Sequence, residues 1–271
     1  MLPAAGSYKR VLFPAAKSMP VWLYQPRNNK NPDRLIVAVH GISRQYLQQV
    51  EAYQALADSY GCWLMVPEFS KAAFPKYQQL SKGGSEPRAD LALNTVLVAW
   101  KHWQKQPGLK IHLCGYSGGA QFAHRYAMMH PQNIESLVLS SAGWYTFPED
   151  DVPYPYGLAE WPKWLGASRF AEMVQLPMLV MVGEDDVERD KSLRQSKRLD
   201  RQQGLHRLER ARRWSDAMSE YKRANGVAQG IRFCRLAGQG HDFMSNAQHS
   251  NMLQLIQQFW DEREWRKQCV V

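Results

Sequence analysis

The segment that most restricts what this 271-residue chain can fold into is Gly115-Tyr116-Ser117-Gly118-Gly119. It follows a short apolar run at 111–114 and opens a helical pattern over 118–129 that stops before Pro131. A serine joining a strand to a helix in so few residues sits on a strained turn, and only small neighbours avoid clashes there. The turn thrusts the hydroxyl clear of the sheet. It also sets it beside the start of the helix, where unpaired N–H groups and the positive end of the dipole favour negative charge.

The remainder of the chain alternates short apolar runs with longer helical patterns, which argues for βαβ units and a mostly parallel sheet flanked by helices. Residues 11–13 and 19–24 read as two leading strands forming a hairpin. The near-continuous β-branched run at 34–39 reads as a strand buried on both faces. A helix at 50–60, a strand at 62–66, a helix at 88–104 and a strand at 136–140 follow. The rhythm breaks at 143–176, where Trp, Tyr and Pro crowd together. Prolines this dense forbid a long regular element, so an irregular insertion covering a pocket is expected. A strand at 178–182, a basic helical region at 188–223, a strand at 231–236 and an amphipathic helix at 247–267 complete the chain. Gln203-Gly204 is a point at which the basic helix can break in two. No linker or internal repeat divides the chain, so residues 1–271 are expected to form a single domain.

A serine hydroxyl becomes a useful nucleophile when a base takes its proton and a carboxylate orients that base. Candidates stand in the right places. The strand at 178–182 runs into Gly183-Glu184-Asp185-Asp186, and the strand at 231–236 runs into Gly238-Gln239-Gly240-His241-Asp242. Both are strand C-terminal ends, where open α/β sheets bind ligands. His241 is the favoured base. His112 lies in a strand, and His102, His124, His130, His206 and His249 lie on helical patterns. Asp186, three residues past Gly183, is the favoured acid. Asp185 is the alternative, and Glu184 reads as a loop residue.

Taken together, Gly-Tyr-Ser-Gly-Gly around Ser117, the stretch Ser141-Ala142-Gly143-Trp144-Tyr145, Gly183-Glu184-Asp185-Asp186 and Gly240-His241-Asp242 resemble the α/β-hydrolase superfamily over nearly the whole chain. Within it, the nearest resemblance is to bacterial esterases related to polyhydroxybutyrate depolymerases and feruloyl esterases. His40-Gly41-Ile42, directly after the strand at 34–39, resembles the oxyanion loop of that fold. The resemblance implies oxyanion donors at the N–H groups of Ile42 and Gly118, with His40 in a structural role. The activity implied is hydrolysis of a carboxylic ester through an acyl-enzyme on Ser117, with no metal or organic cofactor. A thioesterase or an acyltransferase could run on the same triad, and a non-enzymatic ligand-binding scaffold is the reading outside catalysis.

Composition bounds these readings. Apolar residues make up 45% of the chain, enough for a large core, and no apolar run reaches the length of a membrane span. The N-terminus lacks the apolar stretch and cleavage site of a signal peptide, so a cytoplasmic setting is expected. None of the four cysteines has metal-ligand spacing. The net charge of +9 is concentrated at 188–213, where basic residues recur with interspersed acids. That pattern reads as a solvated helical face, with attraction of an anionic substrate as a second role and no specific nucleic-acid partner.

Overall fold

A computed structural model describes residues 2–16, 19–81, 83 and 87–268 of the chain. Its centre is one eight-stranded sheet built from β1 (Ser7–Val11), β2 (Val21–Gln25), β3 (Leu35–Val39), β4 (Trp63–Pro67), β5 (Ile111–Tyr116), β6 (Ile134–Ser140), β7 (Met178–Gly183) and β8 (Ile231–Leu236). The spatial order is β1-β2-β4-β3-β5-β6-β7-β8. The pairs β1–β2 and β2–β4 are antiparallel, and every other pair is parallel. Helices cover both faces: α1 (Tyr46–Tyr60), α2 (Ala89–Gln104), α3 (Gly118–Met129), α4 (Phe170–Met173), α5 (Lys197–Gln203), α6 (Arg207–Ala224), α7 (Phe243–His249) and α8 (Met252–Gln268).

The period-two geometry of a strand explains why the core divides in two. Leu35, Val37 and Val39 of β3 face one cluster with residues of α2, α3 and α6, while Ile36 and Ala38 face the other with residues of α1, α7 and α8. All five β3 residues are fully buried, as its unbroken apolar sequence requires.

The differences from expectation have local causes. The first strand is Ser7–Val11 and not 11–13, because pairing with β2 joins Ser7 to Gln25 and Val11 to Val21. That strand is largely exposed, so its sequence carries little apolar signal. The basic region is a loop followed by two helices, parted at Gly204, whose φ of +106° is unfavourable for other residues. The closing helix is also two. The Ser250 hydroxyl donates to the Asn246 carbonyl at the end of α7 and accepts from the Met252 N–H at the start of α8. Residues 143–176 are irregular apart from single turns and α4. Trp144, Tyr145 and Phe147 are buried, and Tyr154, Trp161 and Trp164 pack on the main core cluster. No helix among the described residues is long and apolar enough to cross a membrane.

Candidate active site

Ser117 joins β5 to α3 with φ 54° and ψ −115°, the strained turn expected at this position. The surrounding glycines are obligatory for close approach. A Cβ on Gly115 would lie 2.3 Å from the Gly119 carbonyl oxygen, and one on Gly119 would lie 2.0 Å from that of Val39. The Ser117 N–H is anchored to the Ser140 carbonyl at 2.8 Å.

β7 and β8 lie side by side, and their C-terminal turns interlock. The Asp185 N–H donates to Gln239 and the Glu184 N–H to Leu236. This brings together three residues far apart in sequence. His241 Nε2 lies 3.0 Å from Ser117 Oγ, and His241 Nδ1 lies 2.8 Å from Asp186 Oδ2. Asp186 is buried, whereas Asp185 is exposed and makes no contact with the ring. The turn is braced by Asn246 Nδ2 donating to the Gly240 carbonyl, and the Tyr116 ring stacks on the imidazole at 5.6 Å.

The second carboxylate oxygen of Asp186 accepts from Arg207 Nη1 at 3.2 Å, and both side chains are only 1% exposed. Arg207 Nη2 in turn donates to Ser192 Oγ at 2.5 Å. This arginine was hidden in a stretch that read as a solvated face. Its first helical turns do not behave that way, since Arg207 and Arg210 are fully buried. Arg210 holds the carbonyls of Gly143, Gly204 and Arg194 and pairs with Asp200. The signal was present as helical spacing. Residues 207, 210, 211, 214 and 218 fall on one face, and the last three are Ala211, Trp214 and Met218.

The loop after β3 runs beside Ser117. A Cβ on Gly41 would lie 3.5 Å from Ser117 Cβ, and one on Gly118 would lie 3.2 Å from the Ile42 nitrogen. The Gly118 N–H, first in α3, has no acceptor within its helix. Arg44 Nη1 donates to the Ile42 carbonyl and its Nε to the Phe69 carbonyl, while the Arg44 N–H donates at 3.0 Å to the Gly41 carbonyl, which shares a peptide with the Ile42 N–H. Arg44 has no motif to announce it. Its φ of 57° is visible only in three dimensions. His40 is buried, and its Nδ1–H donates to the Gly41 carbonyl while its Nε2 accepts from the Phe69 N–H. Burial pushes its pKa down to about 4, so it is a neutral structural group. Tyr77, kept protonated by burial, donates to the His40 carbonyl at 2.7 Å.

The remaining histidines lie away from the serine. His124 is buried, with its ring between the Ala120 carbonyl and the Thr146 N–H; His130 pairs with Asp90; His112 meets Ser136. Among the described residues, no three His, Cys, Asp or Glu side chains cluster as metal ligands.

Two clefts flank Ile42. A small one of about 90 Å³ opens over Ser117 and His241, walled by Tyr116 and Phe243 with Gln45 and Gln49 at its side. A larger one of about 470 Å³ lies on the other side, between Lys76, Gln121, Trp144, Lys191 and Arg194. Of the aromatic residues at 143–176, Trp144 lines the larger cleft, Tyr156 lies against it and against Arg194 and Arg198, and the others pack in the core cluster.

No family model matches the chain, and no curated protein matches it. Solved structures do. A poly(aspartic acid) hydrolase from Sphingomonas sp. KT-1 is 20% identical, with a TM-score of 0.76, covering 91% of this chain and 97% of that one. A poly(3-hydroxybutyrate) depolymerase from Bordetella parapertussis is 22% identical, with a TM-score of 0.74, covering 90% and 88%. An S-formylglutathione hydrolase from Agrobacterium tumefaciens is 15% identical, with a TM-score of 0.58, covering 95% and 96%. These likenesses and the strand order establish the α/β-hydrolase fold.

Proposed function

We propose that this protein is a serine hydrolase that cleaves carboxylic esters through an acyl-enzyme on Ser117. The observation that carries this reading is the unbroken chain from Ser117 Oγ to His241 Nε2, and from His241 Nδ1 to buried Asp186, at 3.0 and 2.8 Å. Fold alone would not support it, because one fold hosts many functions. The names of the similar structures, two hydrolases and a depolymerase, agree with it.

His241 accepts the Ser117 proton as Oγ attacks the substrate carbonyl carbon. Asp186 keeps the imidazole in the tautomer with hydrogen on Nδ1 and stabilises the cation that forms. The carbonyl oxygen, now negative, accepts from the N–H groups of Ile42 and Gly118. Each such donor is worth roughly 10² to 10³ in rate. The tetrahedral intermediate collapses, the C–O bond breaks, and His241 returns its proton to the departing alcohol. Water then repeats the sequence on the acyl-enzyme and releases the acid.

The test is a fluorophosphonate probe with peptide mapping by mass spectrometry, run beside hydrolysis of p-nitrophenyl butyrate. The expected result is an adduct on Ser117, and loss of both adduct and turnover in Ser117→Ala. Turnover that survives in Ser117→Ala, or an adduct on another serine, overturns the assignment.

A further inference from the structure

The 470 Å³ cleft beside Ile42 carries a charge pattern that ester hydrolysis alone does not require. Lys76, Lys191 and Arg194 border it, and all three are exposed. Among the described residues none of them forms an ion pair, and no Asp or Glu lines the cleft. The nearest acid in sequence, Asp190, lies one hydrogen bond behind Ser192 at the cleft edge and is paired with Arg207. Its carboxylate accepts from Ser192 and from the Leu193 N–H and faces Arg207.

Beneath the wall lies a fourth cation. Arg125 is 1% exposed, its guanidinium sits 4.1 Å from the Trp144 ring centre, and its Nη1 donates to the carbonyls of Gln78 and Gln121. It makes no ion pair among the described residues. Arg194 lies on the same Trp144 at 5.2 Å, so two guanidinium groups pack on one indole. The Gln121 side chain is nine-tenths buried and lines the cleft. A low-dielectric wall bordered by more cations than acids focuses a positive potential into the space it encloses.

The cleft also stands in fixed relation to the serine. Ile42 lines both clefts, and Ser192 at the edge of the larger one is bonded to Arg207, which holds Asp186.

We propose that this cleft binds the anionic arm of the ester substrate, so that the protein prefers esters carrying a carboxylate or phosphate over neutral ones. The proposal rests on the hydrolase reading for its reaction, while its binding half can be read separately. The chemistry shared by both kinds of arm is a negative group paired with lysine and arginine, which hydrogen-bond charged oxygens more strongly than neutral ones.

The experiment compares matched substrates. Phenyl hydrogen adipate is set against the phenyl ester of adipamic acid, 3-carboxyphenyl butyrate against 3-carbamoylphenyl butyrate, and butyryl-coenzyme A against its neutral N-acetylcysteamine thioester. The first two pairs test a carboxylate on the acyl and alcohol sides, and the third tests phosphate. The reading is the charged-to-neutral ratio of kcat/KM. The expected ratio is tenfold or more for at least one pair in the wild type. In Lys76→Gln/Lys191→Gln/Arg194→Gln it falls by roughly tenfold, about two- to threefold for each exposed charge. Lys76→Arg/Lys191→Arg keeps it, which separates charge from structure.

The same pairs are titrated calorimetrically against Ser117→Ala, where binding is read without turnover. If no ester is cleaved but the charged members bind more tightly, and the triple substitution abolishes the difference, the hydrolase reading fails and the anion site stands. A ratio near one in every pair, in both turnover and binding, overturns the anion site whether or not neutral esters are cleaved.

Discussion

Single residues decide which of several similar groups meets the His241 ring. Asp185 and Asp186 are adjacent, yet one is exposed and the other is 1% exposed against the imidazole. Asp186→Asn would leave the shape intact and disturb the tautomer of His241, so kcat is expected to fall by about 10³- to 10⁴-fold. Asp185→Asn should change it less than twofold. Steady-state kinetics on the two purified variants compare them directly, and equal losses would contradict the geometry. Arg207 supplies the outer half of the same device. Removing one partner of a buried ion pair leaves an uncompensated charge, at about 3–5 kcal/mol. Arg207→Met should therefore lower unfolding stability by that amount in urea titration. A loss below about 1 kcal/mol would mean that other groups suffice to hold Asp186.

At the scale of elements, what was legible followed from residue type. Gly118–Met129 and Ile231–Leu236 lie where their patterns put them, because a glycine or proline stops each one or a buried face runs its full length. The first strand was misplaced, because an exposed edge strand takes its register from the partner and not from its own apolar residues. The junction at Ser117 has no room for an added atom. A Cβ on Gly119 would stand 2.0 Å from the Val39 carbonyl oxygen and 2.7 Å from that of His40, both backbone atoms with no flexible end to move. Gly119→Ala should cost about 3 kcal/mol or more, or prevent folding. Thermal unfolding of that variant within 2 °C of the wild type would refute the contact. The insertion at 143–176 shows the reverse limit. Its aromatic composition suggested a pocket cover, yet only Trp144 reaches a cleft, because composition cannot say which way a ring points.

For the molecule as a whole, buried histidines set an acid limit. His40 is neutral in the fold, its pKa lowered from 6.5 to about 4 by burial, and burial holds His124 well below its usual range. Between about pH 4 and 6.5 the unfolded chain binds more protons than the folded one, so stability rises with pH across that window and falls as acid is added. His40 alone contributes about 3 kcal/mol of loss once the pH is below 4, and His124 adds in the same direction. Unfolding free energies from urea titration between pH 7 and 4.5 should decline steadily, by roughly 1–3 kcal/mol per unit below about pH 6. A flat profile would mean that these rings are solvated. The positive charge belongs to this scale too, because its placement around one cleft, and not its total, gives it direction.

By itself the sequence determined the alternation of strands and helices, the strained serine turn, and the strand ends on which Asp186 and His241 stand. Those are local consequences: glycine permits the turn, β-branched runs fill a doubly covered sheet, and helical spacing picks a face. Only the tertiary structure decided that Asp186 and not Asp185 meets the imidazole, that Arg207 backs it, that Arg44 holds the Gly41 carbonyl of the peptide carrying the Ile42 N–H, and that three cations border one cleft with a fourth against its Trp144. Each of these joins residues brought together by strand order and loop packing. Burial, which turns a polar side chain from a solvated group into a structural one, is a property of the neighbours and not of the residue.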